Sequence, residues 1–263
     1  MDQSTLDGCI AKVDRADKHL QELVARVGPW AEDVPHEFRG EINPVAGNYA
    51  AYLVVRKAPP IEWSIIVGDV VHNLRSALDH IACMLVPKPT RATAFPIFHD
   101  REDFDCGVRL AAARNRRGPL TGLSPESAAF QFIEQTQPYR GPHGPESHPL
   151  FALRELSNED KHRTVLGLAV GIPIDSDPKV RIVSERDVEL SNPWVQTARP
   201  FQDGAQVMGA DAKITGPDPQ VEVEVDFPFG IAFGKHMFTM DGIPKIAALV
   251  REIVEAVPKI REG

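Results

Sequence analysis

Cysteine is nearly absent from this 263-residue chain, which has three: Cys9, Cys83 and Cys106. No two stand in a Cys-x-x-Cys spacing, and so odd and sparse a set argues against a disulfide framework or a zinc ribbon. Cys83 falls among apolar residues of a predicted helix and reads as a small core side chain. Long apolar runs are also lacking, none approaching the roughly 20 residues that span a bilayer. The opening Met1-Asp2-Gln3-Ser4 has neither the basic residues nor the apolar core of a signal peptide. A cytoplasmic location without a membrane partner is therefore expected. Positive charge is not in excess either. Lys and Arg total 29 against 37 Asp and Glu, a net charge of −8, which argues against a general nucleic-acid binder. The one basic stretch, Arg109, Arg114, Arg116 and Arg117, leaves room for a small or single-stranded nucleic acid. There is no Gly-x-Ser-x-Gly, no Walker loop and no Gly-x-Gly-x-x-Gly, so no cofactor is expected.

What is present is periodicity. Leu6, Ile10, Val13, Leu20, Val24 and Val27 recur at helical spacing and predict a helix over residues 4–27, ended by Gly28-Pro29. Residues 50–56 read as a strand. Pro59-Pro60 introduces a long helix that runs to about residue 86 and stops at Pro87 and Pro89. Phe95-Pro96-Ile97-Phe98 looks like a short buried anchor. Ser124-Pro125-Glu126 predicts a capped helix carrying Phe130, Phe132 and Ile133. Ser147 predicts a second cap, with Leu150, Leu153 and Leu156 inward. From residue 164 the period changes to two, and residues 164–170, 180–184, 205–211 and 221–227 read as strands. A last helix, about 243–257, lines up Ile246, Val250, Ile253 and Val257. The expected fold is α+β: a helical bundle core with an antiparallel β-sheet section before the C-terminal helix. Residues 1–163 form the helical part and 164–240 the β-rich section. Residues 241–263 form a helix packing back on the first part, so one compact domain is favoured.

The long helix holds the candidate site. At ~100° per residue, Gly68, Asp69, His72, Asn73, Arg75, Ser76, Asp79 and His80 fall in an arc of roughly 160°. Lys and Glu, the usual residues of a solvated face, are missing from it. Three readings stay open. Arg75 and Asp79 can form a surface i,i+4 ion pair. The face can be a buried hydrogen-bonded network, with partners such as Asp17 or His19 on the first helix. Or it does chemistry. His titrates nearest neutrality, and the Arg fork suits phosphate, the minimum for metal-free cleavage of a ribose phosphodiester. A metal-dependent hydrolase using His72, Asp79, His80 and His162 as ligands, with Asp160 available, ranks lower because His72 and His80 diverge by roughly 80°. A second polar cluster, Asn158, Asp160, Lys161 and His162 with Arg163, reads as a turn and helix end. It becomes half of one site if the fold brings it to His72 and Arg75. Gln135, Gln137 and Tyr139 are candidates for the same region.

Arg75-x-x-x-x-His80 resembles the Arg-x4–6-His motif of the HEPN superfamily, helical bundles that include metal-independent ribonucleases. The resemblance implies that Arg75 binds phosphate and His80 acts as general acid/base. His72, Asn73 and Asp79 would orient them, RNA would be the substrate, and two protomers would face each other in a homodimer. Over about residues 10–165 the chain is also similar to a group of bacterial proteins without an established activity. That similarity rests on Gly68-Asp-Val-Val-His-Asn-Leu-Arg-Ser-Ala-Leu-Asp-His80, Phe95-Pro-Ile-Phe98, Ile133-Glu-Gln-Thr-Gln-Pro-Tyr139, and the stretch from His148-Pro-Leu to Asn158-Glu-Asp-Lys-His-Arg163.

Overall fold

The computed structural model describes residues 3–33, 36–109, 118–162, 168–171, 179–196, 203–226, 230–234, 236 and 238–261. In chain order these form α1 (Gln3–Glu32), β1 (His36–Asn43), β2 (Asn48–Val55), α2 (Glu62–Leu85) and the short α3 (Arg101–Phe104). Next come α4 (Ala128–Gln135), α5 (Pro149–His162), β3 (Leu168–Gly171), β4 (Lys179–Arg186), β5 (Val188–Val195) and β6 (Gln206–Ile214). The chain continues with β7 (Gln220–Asp226), β8 (Gly230–Phe233), β9 (Phe238–Thr239) and α6 (Gly242–Arg261). The fold is α+β, with a C-terminal helix that follows the strands. No helix of the described residues is long and apolar enough to cross a membrane.

Helix α1 lies along α2, and α6 packs against α1, α2 and α5. The stripe that α1 buries is Leu6, Cys9, Val13, Ala16, Leu20, Leu23 and Trp30, whereas Val24 is exposed. Leu6, Val13 and Leu20 lie inward as expected and Ile10 and Val27 pack against the core partly buried, while Cys9, Ala16 and Leu23 fill the inward positions between them. Asp17 and Asp14 hold Arg251 of α6 at 2.6 and 2.7 Å. His19 faces Glu22 on its own helix. Neither Asp17 nor His19 therefore serves the polar face of α2. Gly28-Pro29 does not end α1. A proline near a helix C-terminus forfeits one hydrogen bond, and Trp30 packs edge-on to Trp63 at 5.4 Å, anchoring the last turn.

Two helix starts differ from expectation. The α4 cap is Ser127, whose hydroxyl accepts the Phe130 N–H at 3.2 Å, while Ser124 belongs to the preceding turn. In front of α5, His148 rather than Ser147 accepts a free N–H, that of Leu150, through Nδ1 at 3.2 Å. Cys83 is exposed, and Cys9 is the buried thiol. Counting ~100° per residue from His72 puts Cys83 near +20°, inside the polar arc. Its apolar sequence neighbours point the other way. Helix α3 is capped by Asp100, whose side chain accepts the Asp103 N–H.

The strands do not form one meander. The order β1-β2-β6-β5 makes one antiparallel sheet, β3-β8-β9 a second, and β4-β7 a two-stranded ribbon. The first sheet joins a hairpin from the expected helical part to strands from the β-rich section. It has its own core of Tyr49, Ala51, Leu53, Val188, Val207, Met208, Ala210 and Ala212. The β1 pairing was hidden because His-Glu-Phe-Arg-Gly-Glu-Ile-Asn is mostly polar, with only Phe38 and Ile42 against that core. The β5 strand carries Pro193, a bulge between Ser191 and Trp194, and Asn192 at φ +49°, which mask its alternation. Of the expected strand over 164–170, residues 164–167 lie outside the described residues, as does Phe227. The second sheet places Ile231 and Phe233 in the helical core beside Leu153 and Leu156.

Burial holds the His148 imidazole below the ordinary histidine range, which suits a neutral ring accepting an N–H. A histidine whose folded pKa is lowered binds protons more readily when unfolded. Stability is therefore full above the unfolded pKa of about 6.5 and falls as pH drops through the folded value. Chemical denaturation between pH 7 and pH 5 is expected to show this loss, and His148→Asn, which keeps a capping acceptor, is expected to reduce it to the share of His36, whose pKa burial also lowers.

Candidate functional site

The polar face of α2 divides in two. Arg75 and Asp79 turn inward on one flank, while His72 and His80 are exposed. The Arg75 fork grips Asp79 through Nη2 to Oδ1 at 3.0 Å and Nε to Oδ2 at 3.3 Å. The same Nη2 donates to the Phe95 carbonyl at 2.7 Å, and Asp79 Oδ1 accepts the Phe95 N–H at 2.9 Å. One residue's main chain is thus held at both polar atoms by an ion pair from one helical turn. The Arg75 side chain is only 18% exposed, so these charge-assisted bonds are partly shielded from water.

The next residues of that segment are gripped from the other side. Gln137 is fully buried and was a candidate for this region. Its Oε1 accepts the Phe98 N–H at 3.0 Å, and its Nε2 donates to the Pro96 and Ile133 carbonyls at 2.9 Å each. Phe95 and Ile97 then sink into the helical core as the expected anchor. Gln135 is exposed, and Tyr139 packs edge-on to Phe104. Asn73 bonds back to the Asp69 carbonyl at 2.8 Å, a local contact within α2. Among the described residues no three His, Cys, Asp or Glu side chains are grouped to hold an ion.

The second cluster does come to α2, but through other residues than His72. Asp160 on α5 sits over Gly68, and its Oδ1 lies 2.8 Å from where a Cβ at Gly68 would stand. A Cβ at Gly68 would press on the tip of the Asp160 side chain. Asn158 borders the same cleft as Arg75, a cavity of about 240 Å³ between α2, residues 94–98, Pro119 and α5. Lys161 and His162 belong to α5 by backbone, and their side chains lie outside the described residues. Arg163, and Arg114, Arg116 and Arg117 of the basic stretch, are also outside them.

Sequence reasoning missed Arg154, Glu155 and His236. Arg154 lines the same cleft as Arg75, and its Nε and Nη2 reach Glu155 Oε1 at 3.0 and 2.9 Å. Its guanidinium also lies 5.3 Å from the Phe151 ring centroid. Glu155 Oε2 meets His236 Nε2 at 3.1 Å, tying the turn before β9 to α5. In sequence, Arg154-Glu155 is an ordinary solvated helix pair, and nothing local points to His236.

No family model, curated protein or solved structure matches the chain. What the site does is therefore argued from its own side chains.

The Gly68–Asp160 contact gives a test. Glycine to alanine in a helix interior ordinarily adds about 1 kcal/mol of stability. Gly68→Ala is expected to lose most of that gain against Asp160 and to recover it in an Asp160→Ser background. Equal effects in both backgrounds, by urea denaturation, would show that the helices have room to spare there.

Proposed function

We propose that this is a non-catalytic binding protein in which the Arg75–Asp79 pair is a structural brace. The brace holds residues 95–98 as one wall of the cleft whose other wall is α5. The observation that carries this reading is the closed set of bonds between Arg75, Asp79 and both polar main-chain atoms of Phe95. For Arg75 to clamp a phosphate with its fork, it would have to release Asp79 and the Phe95 carbonyl. Each charge-assisted bond of this kind contributes about 1.5–3 kcal/mol. Unlike a mobile surface arginine, Arg75 starts with that cost against it.

A second reading has its own observation. His72 and His80 are both exposed on α2, as an acid/base group awaiting a substrate or a second protomer would be. In this reading the protein is a HEPN-like metal-independent endoribonuclease or a degenerate relative, acting on RNA as a homodimer. Arg75 binds phosphate, His80 moves the proton, and His72, Asn73 and Asp79 orient them.

The two readings separate in one set of measurements. Wild type, Arg75→Ala, Asp79→Ala and His80→Ala are incubated with mixed RNA in EDTA, and each is unfolded in urea. The brace predicts no cleavage by any of them. It also predicts a loss of about 2–3 kcal/mol for each of the first two variants, and a change within about 0.5 kcal/mol for His80→Ala. Cleavage by wild type that disappears in a stably folded His80→Ala would overturn the brace as the main role and establish the ribonuclease.

A further inference from the structure

The cleft beside the brace has a definite chemical character. Two guanidinium groups line it, Arg75 from α2 and Arg154 from α5, together with Ser157 and Asn158. The rest of the lining is apolar: Ala94, Phe98 and Pro119 are half-buried there, with Pro96 and the edges of the core residues Phe95 and Ile97 behind them. We propose that this cleft binds a small monocarboxylic acid with an apolar body. The carboxylate is taken by the two arginines and the body by the apolar lip. The proposal rests on the binding-protein reading above and names its ligand class.

The donors are present. Arg75 commits Nε and Nη2 to Asp79 and Phe95, and Arg154 commits Nε and Nη2 to Glu155. Among the described residues no contact uses the Nη1 group of either. Each arginine thus keeps one amino group with its hydrogens for a ligand oxygen. The existing partners also fix both forks, so they are pre-ordered and lose little freedom on binding.

Size and charge narrow the ligand. About 240 Å³ is below the roughly 300–1,000 Å³ of sites for drug-sized molecules, so the occupant is small. The two guanidinium charges are already balanced by Asp79 and Glu155, and the chain carries a net charge of −8. A phosphate dianion would bring a second negative charge close to both carboxylates. A monoanion meets less repulsion and uses the apolar lip, which phosphate cannot. A neutral isostere uses the lip but offers no anionic oxygen to the Nη1 groups. The carboxylate could belong to a free acid or to the end of a peptide chain. The cleft's size favours the free acid.

Titration calorimetry on the full chain tests this with benzoate, benzamide, inorganic phosphate and N-acetylphenylalanine. Benzoate is expected to bind saturably, at least tenfold more tightly than benzamide or phosphate. Arg154→Gln, checked for unchanged thermal unfolding, is expected to weaken benzoate at least tenfold, and Arg154→Lys by less. N-acetylphenylalanine binding more tightly than benzoate would overturn the free-acid assignment in favour of a chain terminus. Equal binding of benzamide, tighter binding of phosphate, no saturable benzoate binding, or an unaffected Arg154→Gln would overturn the carboxylate site. None of these results bears on the brace, which stands or falls on RNA cleavage and on the stability of the Arg75 and Asp79 variants.

Discussion

The arrangement of the helical half turns on how the main chain of residues 95–98 is satisfied. The segment runs into a core built largely of apolar side chains from α1, α2, α4, α5 and α6, with Phe104 of α3 and Ile231 and Phe233 of β8. Buried backbone N–H and C=O groups need partners. Here no strand or helix supplies them. Arg75 and Asp79 supply them at Phe95, and Gln137 supplies them at Pro96 and Phe98. Three side chains from two distant parts of the sequence thus let an irregular stretch cross the interior. Phe95 and Ile97 can then fill space between the helices, and the outer edge of the same stretch becomes the lip of a cleft.

The second constraint is close approach. Gly68 opens a notch in α2 that Asp160 of α5 occupies. The notch and the brace lie on the same helix about two turns apart, and α5 packs on α2 beside the segment that α2 grips. Arg154, Ser157 and Asn158 of α5 thereby line the same cleft as Arg75. Glu155 and His236 extend the same contact toward the second sheet. The first sheet, with its separate apolar core, takes no part in the cleft.

Much of the helical fold was legible in the sequence, because amphipathic periodicity survives over many turns. Helix α2 is the clearest case, and its Arg75–Asp79 spacing announced an ion pair. Phe95-Pro-Ile-Phe98 was legible as an anchor by its composition. The rest was hidden for identifiable reasons. On α1 the inward positions missed, Cys9 and Ala16, carry small residues with a weak apolar signal. The caps Ser127 and His148 compete with nearby Ser124 and Ser147, which look equally good locally. Strands β1 and β5 lack alternation because one is largely polar and the other is bulged. The site suffered most. Which carbonyl Arg75 would reach, that Gln137 would meet the same segment, and that His236 would find Glu155 are facts of long-range packing. The residue types suggested chemistry, while their distances favour a support.

The central claim is that the ion pair on α2 holds the main chain of Phe95. Native-state hydrogen exchange at the Phe95 amide tests it most directly. The brace predicts a protected amide in wild type. It also predicts protection lost at Phe95 in Asp79→Ala but kept in His80→Ala, with the amides of α1 and α6 unchanged. A Phe95 amide that exchanges freely in wild type, or one indifferent to Asp79→Ala, would contradict it.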